Sequence, residues 1–523
     1  MFKSKKIKAL PNKKAEAGSA NGTTKDDASA VSANGLKKTL EENIKIISEL
    51  FKDDDTLVIR RFENEQNNDF KFCILFTNGM ISSTAINDNI IKPLMLSTSI
   101  DSKKNLLDAI MYHVLFSNSV EKISEVNKVI ESIVSGDTIL FAEGSSEALT
   151  IDSKGWQTRA IEEPDGEKLI RGPREGFTES LIMNISMVRR KLATNNLKFK
   201  FRTIGVQSQT KICLCYIEGI ANDQILKELN KRLDTINIDG ITASGMIAEL
   251  ISDSAISPFK SVGSTERPDI IAAKLLEGRF AIIVDGTPVA LTVPHIFIEY
   301  FQANEDYYIN YYFSSINRLL RVLCFLLSLS LPAVYVALTT FHQEMVPTPL
   351  IRSISAARQG VPFPTVVEVL GLLITFEILR EAGTRMPSAI GQALSIVGAL
   401  VLGQSAVEAR LVSAPVIIII ALTSISGLAL QKISGALMVS RVIFLLFSSI
   451  IGLYGYIFGI LGLLIHLFSL RSFGVPYMLT LMNFNPQDIK DTVIRAPLIN
   501  MKYRPKFIAP NNRVRNTSGG KKK

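Results

Sequence analysis

The sequence is poor in the residues from which enzymes and metal centres are built. Its 523 residues include only four histidines, four cysteines and one tryptophan. The histidines are far apart along the chain, and none has the spacing of a metal ligand. Neither the phosphate-binding pattern G-x-x-x-x-G-K-S/T nor the nucleophile pattern G-x-S-x-G occurs. We therefore expect a protein that is not an enzyme and that holds no metal or other cofactor.

The cysteines and the amino-terminal residues argue against a disulfide-linked protein, a zinc protein and a protein with a cleaved signal peptide. The four cysteines have neither disulfide nor zinc spacing. Cys213 and Cys215 are two residues apart in an apolar run, which predicts small buried side chains on one face of a strand. Residues 1–34 have no apolar core of the kind found in a signal peptide. We expect the soluble region that follows to stay on the cytoplasmic side of a membrane.

The formal net charge of +9 comes with many basic residues in two tails. Residues 1–35 are predicted to be a disordered basic tail, and residues 473–523 a basic cytoplasmic tail. Basic segments beside membrane spans mark the cytoplasmic side and contact anionic lipid. No aromatic-interleaved basic motif accompanies the charge. Membrane lipid is therefore an expected partner of this chain, and nucleic acid is not.

Apolar residues are concentrated in one region of the chain. The mean hydropathy is +0.23 although 20% of the residues are charged, and the long apolar runs lie between Val322 and Leu470. The predicted fold is an α/β soluble region of two subdomains, residues 36–165 and 166–315, followed by an all-α transmembrane domain over residues 316–472. The apolar runs allow four to six spans.

Local patterns predict the elements of the soluble region. A helix is expected over Val120–Val134, and strands over Lys198–Ile204 and Lys211–Glu218. Arg279–Val284 and Thr287–Val293 flank Asp285-Gly286, which is a turn sequence typical of a β-hairpin. The pattern therefore predicts that these last two segments pair.

Two segments of the apolar region can be assigned to membrane spans in more than one way. Val442–Leu470 is long enough for one continuous helix, which its glycines favour, and a hairpin of two shorter spans is the alternative. Thr365–Arg380 is apolar but carries two glutamates, so it is expected to be re-entrant, buried in protein or one of six spans. If both termini are cytoplasmic, the number of spans is even. Small residues predicted to pack helices together are Gly391, Ser395, Gly398, Gly452, Gly455, Gly459 and Gly462.

One helix, Met386–Val407 extended to Glu408, has a face that would suit a pore. Its side chains change from small through apolar to polar and charged at one end. An apolar constriction below a polar vestibule has this composition, and a face in contact with lipid is the alternative. The pore-lining candidates are Ala393, Val397, Leu400, Gln404 and Glu408.

Two carboxylates fall inside the apolar region. Glu368 and Glu377 are nine residues apart, on opposite faces of a helix, so they cannot share one site. Glu377 has Arg380 three residues away and is expected to form a local ion pair. Glu368 has no such neighbour, which makes it the better candidate to line water or to pair across subunits.

Several uncommon strings give the chain a family resemblance. They begin with Gly172-Pro-Arg-Glu-Gly-Phe-Thr-Glu-Ser180 and Thr265-Glu-Arg-Pro-Asp269 in the soluble region. In the apolar region they include LPAVYVALTTFHQEM from Leu331, FEILREAGTRMPSAIGQALSIVG from Phe376 and GQSAV from Gly403. In this order they resemble the A subunits of bacterial spore germinant receptors, the GerA family, over roughly residues 36–480.

The resemblance implies a function and partners. Such a subunit would lie in the spore inner membrane as a multi-pass protein, with its soluble region and carboxyl terminus on the core side. It would couple nutrient sensing to ion release with a transporter-like B subunit and a lipoprotein C subunit, as a homo-oligomeric, ion-conducting subunit. The alternative is a small-molecule or ion transporter that acts on its own. Four charged residues in the soluble region either cap and bridge locally or contact other subunits: Arg174, Glu175, Glu266 and Arg267.

Overall fold

The computed structural model describes most of the chain. The described residues are 35–98, 106–155, 163–164, 166–169, 171–385, 403–479, 491–492, 494–505, 507–510 and 512–515. Residues 1–34 of the predicted amino-terminal tail lie outside them. The described residues form two compact units, the first over 35–50 and 58–155, and the second over 51–57 together with the described residues from 163 onward.

The first unit is built on a five-stranded sheet in the order β1-β2-β4-β5-β3, in which β2–β4, β4–β5 and β5–β3 pair antiparallel. The strands are β1 (Leu57–Glu63), β2 (Lys71–Thr77), β3 (Val120–Ile123), β4 (Thr138–Ala142) and β5 (Ala148–Ile151). The helices are α1 (Leu40–Leu50), α2 (Ser83–Ile86), α3 (Lys92–Leu96), α4 (Leu106–His113) and α5 (Val126–Ser135), with a π-helical turn, Asn87–Ile91, between α2 and α3. All five residues of β4 are buried, as expected of a central strand.

The predicted helix over Val120–Val134 is wrong in its first turn. Residues Val120–Ile123 form the edge strand β3, which pairs with β5 from Val120 opposite Ile151 to Ile123 opposite Ala148. The helix begins only at Val126. The apolar residues Val120 and Ile123 fit a helical period, and pairing with β5, which local sequence does not reveal, decides for the strand.

The second unit begins with an α/β module, residues 171–310 with 51–57, hereafter the second module. Its sheet has the order β6-β7-β9-β10-β8, and all neighbours are antiparallel. The strands are β6 (Leu197–Ile204), β7 (Thr210–Ile217), β8 (Gly263–Thr265), β9 (Phe280–Val284) and β10 (Ala290–Val293). The helices are α6 (Leu181–Lys191), α7 (Asp223–Asp234), α8 (Ser244–Leu250) and α9 (Pro268–Leu276). The predicted pairing of β9 with β10 is confirmed.

Strand β7 divides the core of the second module into two layers. Ile212 and Leu214 belong to the cluster that includes side chains of α7 and α8. Cys213 and Cys215 point to the opposite face, into the cluster of α6 and α9. Alternation with a period of two produces this division, because a central strand covered by helices on both sides buries every residue. The prediction that the two cysteines are buried on one face is confirmed.

The segment Phe51–Leu57 covers one edge of this sheet. The backbone N–H of Asp55 donates to the carbonyl of Phe199 in β6, at 2.9 Å. The Asp54 carboxylate lies 2.5 Å from the guanidinium of Arg189 on α6, and both side chains are fully buried. Because a buried ion pair is stable only when both charges are satisfied, this contact holds the segment against the edge strand.

A helical part, residues 311–469, follows the second module. Its helices are α10 (Tyr311–Thr340), α11 (Thr348–Arg358), α12 (Thr365–Arg385), α13 (Ala414–Leu428), α14 (Ser434–Ile451) and α15 (Leu453–Ser469). Helix α10 packs against α13 and α14, α12 against α13, and α14 against α15. An α/β region followed by helices is the architecture that the sequence predicts. Of the described helices, Tyr311–Thr340 and Gln431–Ile451 are long and apolar enough to cross a membrane by length and composition.

The prediction that Val442–Leu470 forms one helix is wrong, because the chain reverses at Gly452. Gly452 has φ +67° and ψ −139°, a conformation that favours glycine. Helix α15 then packs against α14, and a Cβ added at Gly455 would clash with the backbone carbonyl of Phe447. Two of the glycines that suggested contact with another helix, Gly455 and Gly459, therefore pack against the preceding half of the same segment.

A buried carboxylate, Glu299, joins several elements of the second module. It lies 2.5 Å from Arg279 and from Lys274, and it accepts a hydrogen bond from the backbone N–H of Ile296 at 2.7 Å. Burial alone would raise the pKa of Glu299, but the charges of Arg279, Lys274 and His295 hold the pKa well below its ordinary value. The ionised carboxylate therefore stabilises the folded module.

We predict that Gly455→Ala destabilises the α14–α15 hairpin by about 1–3 kcal/mol, because the added methyl group overpacks a contact with backbone. Gly462→Ala is the matched control, since no atom lies within 4 Å of the position of its Cβ. Thermal unfolding of the two purified variants in detergent measures the difference. Equal melting temperatures for both variants would contradict the observed hairpin packing.

Because the pKa of Glu299 is lowered by folding, we predict that the free energy of unfolding depends on pH. Because its folded pKa is depressed, its contribution is complete above the unfolded pKa of about 4.3 and is lost as the pH falls below that value. Glu299→Gln should cost about 3–5 kcal/mol at pH 7 and reduce the loss of melting temperature between pH 5 and pH 3. Glu249→Gln, at an exposed position of α8, should keep the wild-type pH profile. An unchanged profile in Glu299→Gln would exclude this role.

Candidate functional site: buried charges of the helical part

Charged side chains are buried at a few positions of an otherwise apolar helical part. Of its described residues, Arg318, Glu368 and Arg441 are at most 6% exposed. A charge inside a membrane-like or protein interior is costly unless it is paired and hydrogen-bonded. The partners of these groups therefore indicate which helices the charges hold together and where ions or water could interact.

Glu368 lies in the first turn of α12 and contacts the beginning of α13. Its carboxylate accepts hydrogen bonds from the backbone N–H of Ser413 at 2.9 Å and from the Ser413 hydroxyl at 2.8 Å. Ser413 is the residue immediately before α13, where free N–H groups and the helix dipole favour an anion. The guanidinium of Arg358 lies 3.5 Å away. Glu368 thus caps α13 within its own chain.

The buried Arg441 and the half-buried Glu377 form a second pair, and Glu377 lies on the face of α12 opposite to Glu368. Arg441 Nη1 lies 3.6 Å from the Glu377 carboxylate, and Arg380 Nη2 lies 2.5 Å from it. Arg441 also donates to the carbonyl and the hydroxyl of Ser328 on α10, at 2.9 and 2.6 Å. The pair therefore connects α10, α12 and α14, and the two glutamates occupy separate sites as their spacing predicts.

Sequence reasoning missed Arg441, since the predicted span begins one residue later at Val442. Between Ile433 and Leu470 it is the only arginine, lysine or acidic residue. An isolated cation in a long apolar run requires an acidic partner on another helix. That signal, combined with Glu377, would have been sufficient to predict the pair.

The predicted pore-facing helix is described only at its end. Ala393, Val397 and Leu400 lie outside the described residues, as do Gly391, Ser395 and Gly398. Residues 403–408 form a short helical stretch in which the Gln404 amide donates to the Glu408 carboxylate at 2.9 Å. Both of these side chains are exposed.

Three glycines predicted to pack helices together lie in α15. A Cβ added at Gly459 would lie 3.0 Å from the Phe444 ring of α14, and Gly455 contacts the same helix. Gly462 is exposed, with no atom within 4 Å of the position of its Cβ. Gly452 forms the turn between the two helices.

Two of the four charged residues predicted as possible subunit contacts, Arg267 and Glu175, form their contacts within the chain. Arg267 is fully buried and donates to the Asp269 carboxylate and to the carbonyls of Glu167 and Pro173. Glu175 pairs with two basic residues of α6, at 3.4 and 2.8 Å. The side chain of Arg267 therefore serves its own chain and presents no surface to another subunit.

The two remaining candidates differ in exposure. Arg174 is exposed and reaches Glu163 only at 4.0 Å. Glu266 is half-buried, and its carboxylate has no hydrogen-bonding or ionic partner among the described residues. These two side chains are free to interact with another molecule.

A third set of charges, the Asp306 cluster, lies at the beginning of α10. It consists of the buried Asp306 and Arg318 and the half-buried Arg321 and Asp491. Arg318 and Arg321 both donate to the Asp306 carboxylate at 2.9 Å, and Arg318 also reaches the Asp491 carboxylate at 2.8 Å. Asp306 lies just before α10 and is fully buried. In the sequence, the two arginines stand directly before the apolar run that begins at Val322, but their partner Asp306 is brought to them by the turn at residues 304–307.

The end of α15 is also joined to the second module. His466 and the Ser257 hydroxyl are hydrogen-bonded at 2.9 Å. Beyond α15, a short hairpin of β11 (Arg471–Ser472) and β12 (Val475–Pro476), hereafter the Ser472 hairpin, places the Ser472 hydroxyl 2.6 Å from the carbonyl of Ser261. The first and last helices of the helical part are therefore both bound to one α/β module.

These arrangements suit electrostatic coupling between helices. In the described part of the chain, no three histidine, cysteine or acidic side chains lie together as metal ligands. The buried charges lie at helix ends and between helices, where a movement of one helix would require new partners on another.

Comparison with known proteins gives these features a context. The model of the family described as Bacillus/Clostridium GerA spore germination protein matches residues 45–507. Spore germination protein KA of Bacillus subtilis (strain 168) is 42% identical over 482 residues, which cover 92% of this chain and 88% of that protein. Spore germination protein A1 of the same strain is 33% identical over 488 residues, 92% of this chain and 98% of that protein.

Among solved structures, the crystal structure of the N-terminal domain of the A subunit of the Bacillus megaterium spore germinant receptor GerK3 is 32% identical to this chain. It covers 50% of this chain and 98% of its own, with a TM-score of 0.40. The family model and the curated relatives both extend over most of the chain, from the first unit through the helical part. The chain therefore belongs to the Bacillus/Clostridium GerA family of spore germination proteins.

Proposed function

We propose that this chain is the A subunit of a nutrient germinant receptor in the spore inner membrane, where it couples nutrient sensing to ion release. It would act with a transporter-like B subunit and a lipoprotein C subunit, as one copy of an ion-conducting homo-oligomer. Family membership supports the receptor role. The observation that carries the ion-conducting role is the pair of carboxylate–arginine contacts inside an apolar helical part, each with one buried partner, Glu368 or Arg441.

The outer surfaces of the helices support a location in lipid. Helix α10 has 30 residues, about 45 Å at 1.5 Å per residue, which exceeds a hydrocarbon core of about 30 Å. Helix α15 exposes large apolar side chains along its length: Tyr454, Ile457, Phe458, Leu461, Ile465 and Phe468. An apolar surface of this length would promote aggregation in water, whereas lipid or another copy of the chain would cover it.

The two connections to the second module support an even number of spans. The Asp306 cluster fixes the beginning of α10, and the Ser472 hairpin binds the same module after the end of α15. If the helices between these points cross a membrane, the chain must return to the side from which it started. This agrees with cytoplasmic placement of both basic tails.

A pore in such a protein would form between copies, since a ring of protomers that each contribute only a few spans can enclose one at its symmetry axis. The helix that carries Val397, Gln404 and Glu408 is our candidate for its lining. Glu368, near the start of α13, would contribute negative charge at one end of the bundle. Its cap on Ser413 would transmit a movement of α12 to α13.

Sidedness follows from this topology and is open to a labelling experiment. Lys25→Cys and Lys521→Cys should react with a membrane-impermeant maleimide from the same side, the cytoplasmic one. Ser353→Cys, on α11 after one crossing, should react from the opposite side. The background carries Cys324→Ser, since Cys324 is the described cysteine that is not fully buried. Labelling of the two tails from opposite sides would exclude an even number of spans.

Neutralising Glu368 tests its part in ion release. Glu368→Gln keeps an oxygen that can accept from Ser413 but removes the charge, so we expect the protein to fold and cation release after nutrient addition to slow. A loss of about 1 kcal/mol of electrostatic attraction corresponds to roughly fivefold. Release of potassium from spores, at protein levels matched by immunoblot, measures the effect.

Glu344→Gln provides the matched control for this experiment, because Glu344 is exposed just beyond α10. It should leave ion release unchanged. Normal protein levels with unchanged release in Glu368→Gln would remove this carboxylate from the ion pathway and leave it a helix cap.

A further inference from the structure

One loop of the second module presents an apolar side chain to its surroundings almost without cover. In the described part of the chain, Ile256 is the most exposed of the large apolar side chains, at 96%. It lies in residues 253–259, hereafter the Ile256 loop, between helix α8 and strand β8. Residues 254–259 carry no charge. Single exposed apolar side chains are common on soluble proteins, so the position of this loop decides what Ile256 can contact.

The Ile256 loop is bound to the end of helix α15. The Ser257 hydroxyl lies 2.9 Å from His466 Nε2, and the centre of the Phe259 ring lies 6.0 Å from that of the same imidazole. Ile256 directly precedes Ser257, and consecutive Cα atoms are about 3.8 Å apart. The exposed tip of the loop is therefore beside α15.

The point of contact lies within the apolar length of α15 and not beyond it. The helix ends at Ser469, three residues after His466, which is about 4.5 Å along the axis at about 1.5 Å per residue. Ile465 and Phe468, both exposed and apolar, lie before and after His466 in the sequence. The loop is thus level with the last apolar turn of the helix. If α15 crosses a bilayer, this level is the boundary between acyl chains and headgroups.

The base of the Ile256 loop is fixed by the second module. The backbone N–H of Asp253 donates to the Ser261 hydroxyl at 3.2 Å. The Asp253 carboxylate accepts from Arg232 at 2.8 Å and from the backbone N–H of Phe473 at 2.9 Å. The single acidic residue of the loop is therefore paired inside the protein.

The backbone of the tip has few free donors. The N–H of Phe259 donates to the Ser257 hydroxyl at 3.2 Å, and Pro258 has no N–H. Unsatisfied backbone groups are the main obstacle to placing a loop in an apolar phase. Their reduction at this tip lowers the cost of partial entry into a bilayer.

An unpaired cation lies at the same end of α15. Arg471 follows the helix directly, is exposed, and forms no side-chain hydrogen bond or ion pair among the described residues. Its neighbour Ser472 donates to the carbonyl of Ser261, the residue whose hydroxyl binds the base of the Ile256 loop. The loop and the cation are thus connected through one residue of the module.

We propose that the Ile256 loop enters the membrane interface, with Ile256 among the upper acyl chains and Arg471 beside the phosphate groups of anionic lipid. The inference rests on the proposed location of α15 in lipid. An apolar side chain next to a cation is the composition of a surface that binds anionic membranes. A second copy of the chain would have to supply both an apolar surface and an anion, whereas a bilayer offers both. The loop would then hold the second module against the bilayer at the end of α15.

The experiment uses the full-length protein with Cys324→Ser, reconstituted in vesicles of phosphatidylcholine and phosphatidylglycerol in equal parts. Ile256→Cys is labelled with nitrobenzoxadiazole, and nitroxide groups are placed on the upper acyl chains of the lipid. We expect lipid nitroxide to quench the label and aqueous iodide not to reach it. Val206→Cys, an exposed apolar position in the turn between β6 and β7, is the matched control and should show the reverse.

The other outcomes each overturn the inference. Quenching at Ile256 by iodide alone would place the loop in water. Protection from both quenchers would place it against protein, such as a second copy. Equal quenching by lipid at Val206 and Ile256 would exclude a specific role for this loop.

Ile457→Cys, an exposed position near the middle of α15, separates this inference from the proposed function. Its label should be quenched by lipid nitroxide. Quenching at Ile457 without quenching at Ile256 would overturn the loop contact and leave α15 in the membrane. Absence of quenching at Ile457 would contradict the location of α15 in lipid, and the loop contact with it.

The role of Arg471 is tested by moving the nitroxide from phosphatidylcholine to phosphatidylglycerol at the same content. The label at Ile256 should report a preference of about fivefold for the anionic lipid, the contribution of one cation near the surface. Arg471→Gln should remove this preference, whereas Lys211→Gln, at an exposed position of β7, should keep it. An unchanged preference in folded Arg471→Gln would exclude Arg471 as the lipid contact.

Discussion

The Asp306 carboxylate accepts two guanidinium groups from the first turns of α10, and the orientation of the helical part depends on this contact. Asp306 and Arg318 are both fully buried, so each charge is stable only in the presence of the other. Removing one partner of such a pair costs about 3–5 kcal/mol, because the remaining charge stays uncompensated. Arg318 is in addition held by the Asp491 carboxylate, far along the chain. The beginning of the first long helix is thereby fixed to segments before and after the helical part.

The same principle recurs deeper among the helices. Arg441 is held by Ser328 on α10 and faces Glu377 on α12. Glu368 binds the backbone N–H of Ser413, the residue just before α13. Apolar packing alone is weakly directional, and helices in lipid lack a hydrophobic drive to associate with each other. Polar contacts at a few positions therefore specify which helix faces which. A movement of these helices would have to exchange one buried partner for another.

The sequence was sufficient to predict the structure where interactions between neighbouring residues determine it. Asp285-Gly286 predicts the β9–β10 hairpin because the turn needs little from the rest of the chain. Strand alternation places Cys213 and Cys215 on one face for the same reason. The prediction failed at Val120–Ile123, where pairing with β5 overrides a helical period. It also failed at Gly452, whose positive φ cannot be read from a run of glycines.

The candidate site was predictable in part. An acidic residue in an apolar run is conspicuous, so Glu368 and Glu377 could be found from the sequence. Their partners could not, since Ser413 and Arg441 are 45 and 64 residues away along the chain. A cavity lined by Glu266, Lys260 and Lys432 could not be predicted either, because its walls come from segments far apart in the sequence.

The segment Phe51–Leu57 makes the second module discontinuous in sequence. Strand β6 would otherwise present eight residues of unpaired edge, and an uncovered edge of that length is a template for pairing with another chain. Asp55 occupies part of that edge, and the buried contact of Asp54 with Arg189 keeps it there. A recombinant fragment that starts after residue 58 would therefore lack the segment that covers β6. Its exposed strand edge could pair with other chains and promote aggregation. To fold as an isolated fragment, the second module requires residues 51–57, supplied in the same chain or as a separate peptide.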